Sequence, residues 1–238
     1  LADATESRAW VELLHRKWRA NNRFDAWTAE QKACRLGCEH EESMLHMITC
    51  YKAAPLWDAC FSFSNALLAT SLTSNETTRA IVFNMDAGGN MLNNTAAAFM
   101  RHTLSTYYTA ATKVGADKRI FDWRATYYFA LCSFRDAVTR WAMSIRAHNT
   151  KRRNTNLVDM VSENTLTKHA TLVTIKKGCD SFTLTHAFQK AIATAKTDME
   201  AHAEEKKATK KRAATERALA QRSAQRTENQ NPPPQGGG

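Results

Sequence analysis

The sequence predicts a mainly α protein: a helical domain with an N-terminal Cys/His segment, one small β-hairpin and a basic tail that is helical and then disordered. Apolar residues recur at gaps of three and four over residues 120–146, which is the period of an amphipathic helix. Three cysteines and two histidines fall within residues 34–50, and the tail is rich in Ala, Lys and Arg before a Pro/Gly end. We divide the chain into residues 1–70, 71–200 and 201–238.

Apolar patterns in the first third of the chain predict two helices. An apolar stripe that includes Trp10 favours a helix over residues 6–20, and a second helix is expected from Leu56, after Pro55, to about residue 69. Residues 70–78 are polar and predict a loop. The apolar run that follows suggests a short strand ending in Asp86, which we interpret as a turn residue before two glycines.

Two long helices, over residues 94–114 and 120–146, are predicted to carry the core. A short helix at 157–161 comes next. The segments 170–175 and 180–184 flank a turn at 176–179 and predict the β-hairpin near 171–184. A last helix begins at Thr185, and its apolar stripe fades after Met199, where little remains to be buried.

The spacing C-x3-C-x7-H-x3-C over residues 34–50 is typical of a zinc site. Three thiolates and one imidazole are a common tetrahedral ligand set for Zn²⁺. The predicted ligands are Cys34, Cys38, His46 and Cys50. Gly37 can supply a positive φ before Cys38, and residues four apart share one face of a helix. His40 is the main rival ligand, and Cys60 is a weaker one.

Positive charge is concentrated in three segments. The net charge is +10, and residues 206–226 alone hold eight Lys or Arg and one Glu, a local +7. Such clusters favour polyanionic partners, and Trp18 could stack on a base. The candidate nucleic-acid contacts are Arg16, Lys17, Trp18, Arg19, Arg23, Arg146, Lys151, Arg152, Arg153, Lys206, Lys207, Lys210, Lys211 and Arg212. Solvated basic helices without a ligand are the alternative interpretation of these segments.

Composition also bears on the environment of the protein. A mean hydropathy of −0.50 and the lack of an apolar run near 18 residues argue against a membrane partner. The six cysteines show no framework of paired spacings, which favours a reducing compartment, the nucleus or the cytoplasm. The chain begins at Leu1, so we expect a fragment of a longer polypeptide.

The run CRLGC…E…LH…C resembles the cysteine-histidine segment that follows the reverse transcriptase domain in non-LTR retrotransposon polyproteins. Its final gap, H-x3-C, is one residue shorter than in that family. The resemblance implies a zinc knuckle in a C-terminal region that helps a polymerase hold template RNA or target DNA, with the rest of the polyprotein as a further partner. No Tyr/Phe-x-Asp-Asp polymerase motif occurs, so a non-catalytic region is expected. The alternative is a helical protein–protein interaction or scaffold domain with a structural zinc.

Overall fold

The computed structural model describes residues 10–11, 20, 27–86, 88–117, 120–151, 172–175 and 182–230. In chain order its elements are α1 (Ala29–Lys32), α2 (Met44–Thr49), α3 (Ala54–Leu67), a 3-10 turn (Ser74–Glu76), α4 (Thr77–Phe83), α5 (Asn94–Asp117), α6 (Trp123–Lys151), β1 (Val173–Ile175), β2 (Phe182–Leu184) and α7 (His186–Gln230). The mainly α prediction with one small hairpin is confirmed. The predicted helices at 6–20 and 157–161 and the turn at 176–179 lie outside the described residues, apart from Trp10, Val11 and Ala20.

The core is a bundle of α3, α5 and α6. Helices α5 and α6 pack together along their length, and α3 contacts both of them. Four phenylalanines from α3, α5, α6 and the first turn of α7 form its centre, with ring centroids 4.6–6.5 Å apart: Phe63, Phe99, Phe134 and Phe188. Aromatic rings in this mutual arrangement contribute packing energy beyond their buried area.

The ends of the bundle helices are fixed by side-chain caps. Asp122 Oδ1 accepts hydrogen bonds from the backbone N–H groups of Arg124 and Ala125 at the start of α6. Asn93 Oδ1 does the same for Thr95 and Ala96 at the start of α5. Each cap satisfies amide groups that have no partner inside the helix, and so sets where the helix begins.

The segment after α3 differs from the sequence prediction. Residues Thr77–Phe83 form α4, where a short strand was expected, because a buried helical face that includes Ala80 and Ile81 packs on the core. Asp86 is a turn residue, as predicted: its Oδ1 accepts from Asn90 N, and its carbonyl accepts from Gly89 N. Hydrogen bonds from the backbone and side chain of Asn90 lower the pKa of Asp86.

The β-hairpin and the last helix, α7, follow the bundle helices in the chain. Strand β1 pairs antiparallel with β2, and Thr174 lies opposite Thr183. The chain divides into two compact units, Leu1–Lys196 and Thr197–Gly238, each described here by itself. In the second unit the helix continues to Gln230 with most of its side chains exposed. In the described part of the chain, no helix combines the length and apolar composition needed to cross a bilayer.

Candidate metal centre

The loop of the Cys/His segment is a small hairpin-like turn. Ala33 and Glu41 form an isolated antiparallel bridge, and Cys34 N donates to His40 O at 2.9 Å. Gly37 has a φ of +77° and donates its N–H to Cys34 O at 2.9 Å. This left-handed conformation favours glycine, and it confirms the sequence prediction for this position. The turn brings the first two cysteine side chains to one side of the loop.

The second half of the segment is the helix α2. Ser43 caps it by accepting a hydrogen bond from His46 N at 3.0 Å. Cys50 follows the last residue of α2 as its C-terminal cap, one turn beyond His46. The two side chains therefore project from the same face, as expected from their four-residue spacing. We call residues 33–50, with their loop and helix halves, the knuckle.

The knuckle brings four predicted ligands together: Cys34, Cys38, His46 and Cys50. Their ligand atoms all lie within 4.8 Å of one another. Cys34 Sγ and Cys50 Sγ are 3.8 Å apart, and Cys38 Sγ and His46 Nε2 are 3.0 Å apart. With Zn–S bonds of about 2.3 Å, neighbouring sulfurs of a tetrahedral site are about 3.8 Å apart. The sulfur pair thus has the spacing of two ligands to one ion, and it is too long for a disulfide.

The two rival ligands do not join the cluster. The His40 ring stacks on the His46 ring at a centroid distance of 5.4 Å, and His40 is exposed. Cys60 lies in α3, fully buried, with its Sγ 3.7 Å from Thr103 Oγ1 of α5. Burial raises the pKa of the Cys60 thiol to about 12, which is the environment of an inert core cysteine.

The pKa shifts of His46 and Cys50 favour the forms of these side chains that bind a metal. A hydrogen bond joins Cys34 Sγ and Cys50 Sγ, and either atom can be its donor. It raises the pKa of Cys34 and lowers the pKa of Cys50. Burial, followed by the charge of His40, lowers the pKa of His46, so its imidazole is neutral near pH 7. A neutral imidazole and a Cys50 thiolate are the forms in which these two side chains bind a metal, whereas the Cys34 thiol would have to lose its proton when a metal binds.

A buried ion pair closes the loop half of the knuckle. The Glu42 carboxylate is completely buried and accepts hydrogen bonds from the backbone N of Arg35 at 2.9 Å and from its Nε at 2.7 Å. The Arg35 guanidinium also forms a 2.5 Å salt bridge with Glu42 through Nη2. The sequence did not predict this pair, because nothing in a seven-residue separation indicates it.

The knuckle is anchored to the bundle through two backbone carbonyls of α2. Tyr107 of α5 donates its hydroxyl to Met47 O, and Trp57 Nε1 of α3 donates to Ile48 O at 2.8 Å. The two rings pack edge to face at 5.2 Å, and both are buried. Burial, and then the charge of Cys50, raise the pKa of Tyr107. A link across 60 residues of sequence leaves no local signal, so this contact was missed.

Only some of the residues predicted to contact nucleic acid lie in the part of the chain that the structure describes. Arg16, Lys17, Trp18, Arg19, Arg23, Arg152 and Arg153 lie outside the described residues. Arg146 and Lys151 fall in the last turns of α6. The tail residues Lys206, Lys207, Lys210, Lys211 and Arg212 lie on α7, and all but the partly buried Lys206 are exposed. These residues stay predictions as nucleic-acid contacts.

The fold and the cluster define a mainly helical protein with a possible metal-binding Cys₃His centre near its N-terminus. No family model matches the chain, and no curated protein or solved structure is significantly similar to it.

Proposed function

We propose that this chain is a zinc-stabilised, non-catalytic nucleic-acid-binding region. The observation that carries the proposal is the convergence of Cys34, Cys38, His46 and Cys50 within 4.8 Å. Three sulfurs and one imidazole nitrogen are the donor set of structural zinc sites, and hard oxygen-seeking cations such as Mg²⁺ and Ca²⁺ do not favour it. Four protein ligands complete the tetrahedron and leave no open position for a substrate.

The role of the metal is structural. Cys34 and Cys38 come from the loop, and His46 and Cys50 come from α2 and its end, so one ion would join the two halves of the knuckle. Because α2 is also hydrogen-bonded to the bundle through Met47 O and Ile48 O, metal binding would fix the orientation of the knuckle on the helical core. Binding energy in such sites contributes directly to folding.

The basic stretch of α7 is the proposed electrostatic tether. Residues 206–226 carry a net +7 in a helix whose lysines and arginines are mostly exposed. Within this stretch, Lys207 Nζ contacts Glu204 Oε1 at 2.6 Å, one turn earlier in the helix. A polycation of this kind binds phosphates by releasing counterions and does not read sequence.

The resemblance of the knuckle to the segment after the reverse transcriptase of non-LTR retrotransposons supports a more specific proposal. On that reading the chain is a C-terminal region of a retroelement polyprotein that assists binding of template RNA or target DNA. The order of loop ligands, acidic residues and helix ligands supports it, and the acidic position Glu42 has a structural role as the partner of Arg35. The helical bundle would then present the knuckle and the basic segments to the nucleic acid.

Filter binding at low and moderate salt tests this function. We expect the zinc-replete full chain to retain single-stranded RNA and duplex DNA, with affinity falling steeply as salt rises. Deletion of residues 206–238 should weaken binding to all sequences about equally and flatten the salt slope, by roughly 0.7 per lost phosphate contact for single strands. Deletion of residues 227–238 alone removes a single Glu and no Lys or Arg, and is the matched control.

The same binding assay can contradict the proposed nucleic-acid-binding function. If the intact chain binds no nucleic acid at low salt, the proposal fails, and a helical protein–protein interaction domain with a structural zinc is the remaining interpretation. An apolar interface would also show little dependence on salt, in contrast to phosphate binding.

A further inference from the structure

Two aromatic side chains of the first compact unit are each paired with a neighbouring cation. Lys52 Nζ lies 4.9 Å from the ring centroid of Tyr51, and the Arg124 guanidinium lies 4.6 Å from the ring of Trp123. Tyr51 is 56% exposed, and Trp123 and Arg124 are partly exposed. Trp10 and Arg101 form a further such pair, but there the guanidinium Nε is buried. The first two pairs are the ones that a ligand could reach.

Both accessible pairs are connected to the knuckle. Tyr51 directly follows the ligand Cys50. Trp123 begins α6 two residues after Phe121, whose ring packs edge to face on Tyr107 at 5.7 Å. Tyr107 in turn donates its hydroxyl to Met47 O of α2. A short chain of contacts therefore links the start of α6 to the knuckle helix, and the Tyr51 pair lies at the end of that helix.

The cation of each pair lies over the neighbouring aromatic ring. Neither Lys52 nor Arg124 takes part in an ion pair with any described residue. The knuckle itself carries exposed Glu39 and Glu41, so it is not a surface for tracking a phosphate backbone. This end of the bundle offers an exposed Tyr51 ring and a partly exposed Trp123 ring, each with a cation over it. This combination suits an unpaired base with its adjacent phosphate, since bases in a duplex are stacked on one another.

We propose that Tyr51–Lys52 and Trp123–Arg124 are two stacking platforms, next to the knuckle, for unpaired bases of a single-stranded nucleic acid. The inference rests on the proposed function and deepens it, because it assigns base contacts to the knuckle end of the bundle and leaves sequence-independent phosphate contacts to the α7 tail. It also makes the metal matter for recognition: the ion fixes α2, and Tyr51 follows directly from the end of α2.

The test compares two single-stranded probes of equal length and charge, oligo-dT and an abasic deoxyribose-phosphate oligomer. The zinc-replete full chain should bind oligo-dT more tightly, by about 5- to 150-fold for each stacked base. Tyr51→Ala and Trp123→Ala should each lose that factor on oligo-dT while keeping affinity for the abasic probe. Tyr51→Phe and Trp123→Phe, which keep a ring, should retain most of the preference.

The control is Phe129→Ala, which removes a 56% exposed ring from the same helix, α6, over which no cation of the described residues lies. It should leave the preference for bases unchanged. Zinc content and helical circular dichroism identify any variant that fails to fold, and exposed Tyr51 keeps the test valid if Trp123→Ala does not fold.

Each outcome separates the inference from the proposed function. If the full chain binds both probes equally, or if Tyr51→Ala keeps the whole preference, the platforms are refuted while phosphate binding stands. If the chain binds neither probe at low salt, the proposed function itself fails. Loss of the preference in Tyr51→Ala but not in Phe129→Ala supports the platforms.

Discussion

Replacing Glu42 by glutamine should strongly destabilise the first compact unit. The Glu42 carboxylate is 0% exposed, and it accepts hydrogen bonds from the backbone N, Nε and Nη2 of Arg35, whose side chain is only 9% exposed. Glutamine keeps the shape but replaces one acceptor oxygen with a donor and leaves the guanidinium charge buried without its counter-charge. Breaking a buried pair from one side costs about 3–5 kcal/mol, a large part of a typical total stability of about 5–15 kcal/mol.

Urea unfolding, followed by circular dichroism with zinc present, measures the free energy of unfolding. The matched control is Asp136→Asn, which breaks the ion pair with Arg135 in a pair whose side chains are 39% and 53% exposed. An exposed pair contributes about 0–1 kcal/mol, so this variant should unfold almost as the parent does. If Glu42→Gln costs no more than Asp136→Asn, the buried pair does not hold the knuckle together and our reasoning is wrong.

Three further predictions concern the core and the knuckle. Phe134→Ala should lower the free energy of unfolding in urea by about 3–5 kcal/mol. Ile120→Ala, at a residue that is 81% exposed, should change it by no more than about 0.5 kcal/mol. Equal losses in the two variants would contradict the assigned core. Tyr107→Phe should lower the free energy of unfolding by about 1–3 kcal/mol, because Met47 O is left without its donor. An unchanged free energy of unfolding would show that this hydrogen bond does not anchor the knuckle. Because burial raises the pKa of Cys60 to about 12, this thiol should resist a thiol reagent at pH 8, even after a chelator exposes the knuckle cysteines. Mass spectrometry of labelled peptides measures the order of modification. Early modification of Cys60 would contradict its assignment as an inert core cysteine.

The knuckle could be predicted from the sequence because its determinants are local. Gly37 adopts the expected positive φ, and the spacing of His46 and Cys50 requires only one turn of helix. The anchoring contact between Tyr107 and Met47 could not be predicted in the same way. It depends on how α5 packs against the knuckle, and no periodic pattern records a pairing across 60 residues.

The long helices likewise contain positions that the sequence predicts and positions that it does not. Leu131, Phe134 and Val138 are buried as the α6 stripe predicts, but Ile120 precedes the first turn of the helix and is exposed. Asp122 explains the difference, because its cap starts the helix at Trp123 and leaves the apolar residue before it outside the packed face. Trp141, predicted within the stripe, is only partly buried, so its loss should cost less than that of Phe134.

In α4, packing overrode a local preference. Apolar, β-branched residues at Ile81 and Val82 suggested a strand, yet no neighbouring strand is available among the described residues, and a short helix buries Ala80 and Ile81 against the bundle. In the tail, local preference decides the structure because few side chains can be buried. The Ala- and Lys-rich composition alone predicts the helix, which the structure shows to Gln230.

The metal content of the purified full chain tests the central claim most directly. After expression with zinc and purification under reducing conditions, elemental analysis should find one zinc per chain. Cys34→Ser should lose the metal and loosen the knuckle, while Cys60→Ser, a change of equal size at a buried thiol outside the cluster, should keep it. A metal-replete preparation without zinc, or a Cys34→Ser variant that holds zinc as well as the parent does, would contradict the account.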